Sequence, residues 1–177
     1  MKLSPTYIAA ILLTISALHL SCGCESIIDE RLPSYEETSL VGIGDEAPSF
    51  YIESLDGDLL SIPNSEATLL ILFSHTCPDC KAMMSDLQEY INQSGDTPNI
   101  VAISRGGTAA EIEAFRQENN LTYPIAADEA KTIYYTYAKM YVPRCYIIDK
   151  EGVIRHITYE YKRGDIEQLI AAYNTIM

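Results

Sequence analysis

The chain is poor in positive charge: Lys and Arg number 12 against 25 Asp and Glu, a formal net charge of −13 at pH 7. No basic cluster stands along it, so nothing is in place to neutralise a phosphate backbone, and nucleic acid is excluded as a partner. The acidity otherwise speaks only for solubility. Low-complexity tracts and internal repeats are absent too. The 5 cysteines are too few and too scattered for a disulfide scaffold. An apolar run fit for a comfortable membrane span is also missing, since Ile8–Leu18 falls well short of the roughly 20 residues a spanning helix needs. What remains is globular in character. A chain of 177 residues with 47% hydrophobic content and 13 tyrosines holds one domain with a sizeable core, plus extras.

The short apolar run has its own meaning. Lys2 gives a basic start and Ile8–Leu18 has the length of a signal-peptide core, so residues 1–21 read as an export signal outside the fold. After it comes Leu18-His19-Leu20-Ser21-Cys22-Gly23-Cys24. A small residue and then Cys resembles a bacterial lipoprotein box, in which the Cys becomes the acylated first residue. Cys22 fits best and Cys24 second, although His19 departs from the usual aliphatic residue three positions upstream. The alternative is an ordinary cleaved signal with two spare cysteines. Each acyl CH₂ buried in a bilayer contributes about 0.8 kcal/mol, so a multiply acylated Cys22 predicts a firm membrane anchor. Either reading exports the chain, to the periplasm or outer envelope, where disulfide chemistry is live. Residues 22–43, with Glu25, Asp29, Glu30, Glu36 and Glu37 and little apolar periodicity, read as a flexible, solvated tether. The folded domain is expected over 44–177.

Within that domain the most informative stretch is Ser74-His75-Thr76-Cys77-Pro78-Asp79-Cys80-Lys81. The apolar run Leu69–Phe73 before it reads as a fully buried strand. After it Met84, Leu87 and Ile91 recur at helical spacing. The Cys77/Cys80 pair therefore sits where a central strand hands over to a helix. Residues three apart share a helix face, so the sulfurs can meet. The positive helix end and its free N–H groups stabilise a thiolate, and thiols so placed titrate at about 3.5–7.5. Pro78, lacking an N–H, suits the first helical turn. This predicts a redox dithiol. A zinc site would need a second pair of ligands, and Cys145, His75 and His156 form no second cluster. A static bridge across so short a loop would constrain the unfolded chain little.

The remaining segments can be placed in order. Tyr51–Leu55 and Leu59–Ile62 flank Asp56-Gly57, a hairpin signal. The helix after the dithiol runs to about Gln93, and Ile100–Ser104 is the next strand. Thr108 and Glu111 form a capping box ahead of Ala109, Ile112 and Phe115. A helix is expected near Ala130–Lys139, its tyrosines packing the core and rim. Tyr146–Ile148 and Val153–Tyr159 form a hairpin, and a last helix starts at Asp165 with Gln168 as reciprocal cap. The pattern predicts an α/β fold: a central mixed sheet flanked by helices, with an N-terminal β-hairpin extension.

Gly44-Asp45-Glu46-Ala47-Pro48-Ser49-Phe50, the Asp56-Gly57 turn, Cys77-Pro78-Asp79-Cys80, and Val142-Pro143 ahead of Tyr146-Ile147-Ile148-Asp149 and Gly152 occur in one particular order. Over roughly Val41–Tyr173 the chain resembles the thioredoxin superfamily, in particular membrane-tethered TlpA/ResA-like thiol–disulfide oxidoreductases. The resemblance implies a thioredoxin-like fold, with Cys77 as nucleophile and Cys80 as resolving thiol. It makes Pro143 a cis-proline opposite the dithiol, with Val142 offering backbone groups to substrate. No cofactor or metal is required. The partners implied are a disulfide-containing protein and an upstream thiol electron donor. Such proteins usually carry Trp directly before or two before the first Cys, where Thr76 and His75 stand here. They often carry an acid or amide six before it, where this chain has Ile71. A proton acceptor for Cys80 would then come from Glu111, Glu113 or Glu129. His75 is a candidate to stabilise the Cys77 thiolate. Asp79 raises a neighbouring thiol pKa, and a less stabilised thiolate makes a weaker oxidant, so a reductant is expected. Cys145 reads as a small buried hydrophobe, with a third redox thiol as the sharper option. Two other functions compete. A peroxiredoxin-like peroxidase needs Pro seven before and Ser or Thr three before its reactive Cys, and Ser74 fits but Leu70 does not. A Cu(I) carrier suits soft thiolates, although related carriers space their cysteines one residue wider.

Overall fold

The computed structural model describes residues 31–177, and Pro33–Met177 form one compact unit. The export signal, Cys22, Cys24 and the first part of the tether lie outside the described residues. In chain order the elements are β1 (Phe50–Glu53), β2 (Leu59–Ile62), β3 (Thr68–Phe73), α1 (Pro78–Ser94), β4 (Ile100–Arg105) and α2 (Ala109–Glu118). Then follow β5 (Ile125–Asp128), α3 (Tyr134–Tyr137), β6 (Arg144–Ile148), β7 (Ile154–Tyr159) and α4 (Asp165–Asn174).

The main sheet has five strands in the order β5-β4-β3-β6-β7, and β1-β2 form a separate antiparallel pair. β3 is central, parallel to β4 and antiparallel to β6. All of β3 is buried, as a strand covered on both faces must be. Its side chains alternate between two cores. Leu69, Ile71 and Phe73 join Met84 and Leu87 of α1, Ile112 and Phe115 of α2, and Leu169 of α4. Leu70 and Leu72 join Tyr134, Tyr137, Tyr146 and the hairpin residues Leu60 and Ile62 on the opposite face. The mixed sheet, its helical layers and the N-terminal hairpin agree with the predicted thioredoxin-like architecture.

Local details follow from capping chemistry. Gly95 ends α1 in the left-handed region at φ 70° and donates its N–H to Ile91 O, a conformation that glycine tolerates without strain. At α2 the Thr108–Glu111 capping box is present in both directions. The predicted helix near Ala130–Lys139 shrinks to the single turn α3. Asp128 is the reason: its carboxylate accepts the N–H groups of Thr132 at 2.8 Å and Tyr134 at 2.9 Å, with Lys131 at φ 61°. That turn delays the helix, and Ala138 leaves it in an extended conformation that pairs with Ser39. At α4 the cap is Gly164 and makes no side-chain bond. Asp165 instead accepts the Lys162 N–H at 2.8 Å, so Gln168 has no capping partner role there.

The tether also differs from its predicted solvated state over its described part. Residues 33–41 lie on the domain as a strap. Leu40 N–H donates to Tyr137 O and Lys139 N–H to Thr38 O. Its polar composition hid this, because the contacts are hydrogen bonds and ring stacking, which leave no apolar period.

Candidate active site

Antiparallel pairing of β3 with β6 builds the site. Leu72 sits opposite Arg144 and Ile71 opposite Cys145. The end of β3, which leads into the dithiol loop, thus lies beside the start of β6 and the loop before it. Cys77 caps α1 in an extended conformation with Pro78 in the first turn. Its Sγ lies 3.7 Å from the Val142 carbonyl oxygen. The Val142–Pro143 peptide bond is cis, and Pro143 is buried while Cys77 and Val142 are half-buried.

Cys80 stands one turn further along α1 and is 0% exposed. Its Sγ accepts the Ser74 N–H at 3.4 Å. Burial pushes its pKa well above that of an ordinary thiol; the Ser74 N–H opposes this, and the neighbouring Cys77 and Cys145 sulfurs reinforce it. Both dithiol cysteines are free thiols. One sulfur is thus offered to solvent and the other is withheld beneath it. Cys145 is buried at 1% exposure, 3.5 Å from Met83 Sδ, and burial raises its pKa to about 12. It packs as a small hydrophobe.

The candidate acceptors for Cys80 are engaged elsewhere. Glu111 caps Thr108, Glu113 pairs with Arg116 at 2.7 Å, and Glu129 accepts the Ala109 N–H at 3.1 Å. Ile71 is fully buried beneath the site. His75 turns towards Gly107, where a Cβ would come within 2.8 Å of its Cε1 and Nδ1. Its Nδ1 is buried without a hydrogen-bond partner. The Thr108 N–H and hydroxyl lower the Glu111 pKa, and His75 adds to this. Asp79 is exposed in the first turn of α1. Among the described residues no group of three or more His, Cys, Asp or Glu side chains could hold a metal ion.

Tyr35, Tyr141, Arg144 and Tyr159 complete the surroundings. Tyr35 of the strap stacks on Tyr141 with centroids 4.8 Å apart. Its hydroxyl pKa is raised to about 12, mainly by burial and Glu160, and the Cys77 and Cys80 sulfurs act on it as well. Arg144, directly after Pro143, is 0% exposed. It donates to Thr38 Oγ1 at 2.7 Å, Met140 O at 2.9 Å, Tyr35 O at 3.0 Å and Ser39 Oγ at 3.3 Å. Its guanidinium also lies 5.2 Å from the Tyr35 ring centre and 5.1 Å from that of Tyr159. The one available signal was a lone Arg inside an otherwise apolar strand.

A thioredoxin-like sheet, with a dithiol at a helix N-terminus facing a cis-proline loop, defines a protein-disulfide oxidoreductase. The chain belongs to the AhpC/TSA family, whose profile matches residues 43–157. It is 31% identical over 124 residues to the thioredoxin-like protein YneN of Bacillus subtilis, covering 66% of this chain and 72% of that one. It is 26% identical over 132 residues to the thiol-disulfide oxidoreductase ResA of Bacillus thuringiensis subsp. konkukian, covering 72% and 76%. Among solved structures, StoA of Bacillus subtilis aligns with TM-score 0.58 at 22% identity, over 71% of this chain and 96% of that one. The thioredoxin domain of a thiol-disulfide oxidoreductase from Bacteroides vulgatus aligns with TM-score 0.60 at 20% identity, over 77% and 96%.

Proposed function

We propose that the protein reduces disulfides of exported proteins through Cys77 and Cys80. The observation that carries this reading is the unequal placement of the two sulfurs. Cys77 is half-exposed at the positive end of α1, 3.7 Å from the Val142 carbonyl, whereas Cys80 is wholly buried behind it. Cys77, as thiolate, attacks one sulfur of a substrate disulfide. A mixed disulfide forms and the other substrate sulfur leaves as a thiolate that takes a proton. Cys80 then loses its proton and attacks the Cys77 sulfur. The second substrate thiol is released and a Cys77–Cys80 disulfide remains, two electrons having passed to the substrate. An upstream thiol donor restores the dithiol. Val142 supplies backbone polar groups to the substrate strand and Pro143 holds that loop against Cys77.

Burial raises the Cys80 thiol pKa, so Cys80 is held as a thiol until the mixed disulfide forms in front of it. Residues 1–21 direct export and Cys22 carries the lipid anchor. A Cys22→Ala protein still found with membranes would overturn the lipid anchor.

The test is trapping. A Cys80→Ala protein is expected to hold its natural partner as a mixed disulfide on Cys77, released by added thiol, and Cys77→Ala is expected to hold none. The wild-type chain is expected to reduce insulin disulfides faster than it consumes peroxide. The reverse order would make it a peroxidase. A measured potential near the oxidising extreme, about −120 mV, would reverse the direction of transfer.

A further inference from the structure

The strap, the loop before β6 and the end of β7 line a cleft of about 490 Å³ for which the dithiol reaction has no use. Tyr35, Tyr141 and Tyr159 line it, with the carboxylates of Glu36 and Glu160. The Tyr35 ring lies 4.8 Å from Tyr141 and 5.9 Å from Tyr159, centre to centre. The cleft adjoins the dithiol. Tyr141 directly precedes Val142, whose carbonyl faces Cys77 Sγ, and the Tyr35 ring stacks on Tyr141. A polypeptide joined to Cys77 that runs along Val142 towards Tyr141 arrives at this cleft.

We propose that this cleft is a specificity subsite for a basic side chain, Lys or Arg, close in sequence to the substrate cysteine. The inference rests on Cys77 being the sulfur that joins substrate. Its chemistry is that of tyrosine faces and carboxylates acting together. Aromatic faces attract cations through their ring electrons. Glu36 and Glu160 are exposed, and neither makes an ion pair among the described residues. The whole chain, at −13, draws basic segments towards it. The buried cation behind the rings does not reverse this preference. Arg144 is 0% exposed, and its donors are turned to Thr38, Ser39, Tyr35 and Met140. It therefore cannot meet an incoming carboxylate. Its guanidinium already sits against two of these rings, which leaves the outer side to a substrate group that Glu36 and Glu160 can neutralise.

The experiment uses the full-length chain in detergent and disulfide-linked peptides that differ at one position, two residues from the cysteine on either side: Lys, Ala, Phe or Glu. Reduction is expected to favour Lys over Ala, and Ala over Glu, by about threefold to tenfold in kcat/KM at each step at low salt. The preference is expected to lie in KM and to shrink at high ionic strength. Glu36→Gln with Glu160→Gln is expected to bring the Lys-to-Glu ratio close to one, and Tyr35→Leu to lower the Lys-to-Ala ratio. A merely structural role for these residues would leave both ratios unmoved. Equal rates for all peptides, or a preference for Phe or Glu, overturn the subsite and leave the dithiol reading standing. No reduction of any peptide overturns both.

Discussion

Replacing Arg144 by Met tests the strap. The substitution keeps length and apolar character but removes a wholly buried guanidinium. Two effects oppose each other. Removing a buried cation relieves its desolvation, and an apolar residue of similar volume can then be neutral or stabilising. Against that, charge-assisted hydrogen bonds contribute about 1.5–3 kcal/mol each, and stranded acceptors are penalised. The acceptors differ in what they keep. Tyr35 O retains the Thr38 hydroxyl at 2.9 Å, and Tyr141 O retains the Tyr134 hydroxyl at 2.8 Å. Met140 O loses its Arg144 donor, and so does Thr38 Oγ1, on a residue only 3% exposed. Contacts with the Tyr35 and Tyr159 rings contribute about 0.5–1 kcal/mol more apiece. The losses outweigh the relief, and Arg144→Met is expected to destabilise by about 2–4 kcal/mol. Arg144→Lys is not expected to rescue, since one ammonium cannot reach acceptors spread around a planar fork. Urea unfolding gives the stability, and limited proteolysis within residues 33–41 reports release of the strap. A variant within about 0.5 kcal/mol of wild type, with the strap equally protected, would show that desolvation governs and refute the reasoning.

Three further outcomes are expected. In the folded, reduced protein a thiol reagent should modify Cys77 quickly and leave Cys80 and Cys145 until unfolding, because those two are 0% and 1% exposed; rapid labelling at Cys145 would revive it as a redox thiol. Cys145 has a folded pKa raised from 9.0 to about 12, so its share of stability is intact below pH 9. That share is lost as pH rises between those values, at up to about 1.4 kcal/mol per pH unit; equal urea midpoints at pH 8 and 10.5 would contradict this. Gly107→Ala should destabilise by about 1–3 kcal/mol and shift the His75 imidazole resonances, because Gly107 has φ 86° and a Cβ there would strike the ring; unchanged stability and resonances would show the loop is not held this way.

Most of what is local was determined by the sequence itself. Apolar runs mark β3 and α1, the Thr108–Glu111 box starts α2, and the dithiol stands at a strand-to-helix junction, because these patterns act through hydrogen bonds and side-chain spacing within a few residues. Asp128 shows the limit of local patterns: its carboxylate, bonded to Thr132 and Tyr134, delays the helix expected near Ala130–Lys139. Tertiary structure alone decided which distant groups meet. Cys77 reaches Val142 across 65 residues because β6 runs antiparallel beside β3. Arg144 reaches Tyr35 across 109 residues, which turns a polar, acidic stretch into a wall of the cleft. Such contacts depend on strand order and burial, and polar bonds of this kind leave no period along the chain to announce them.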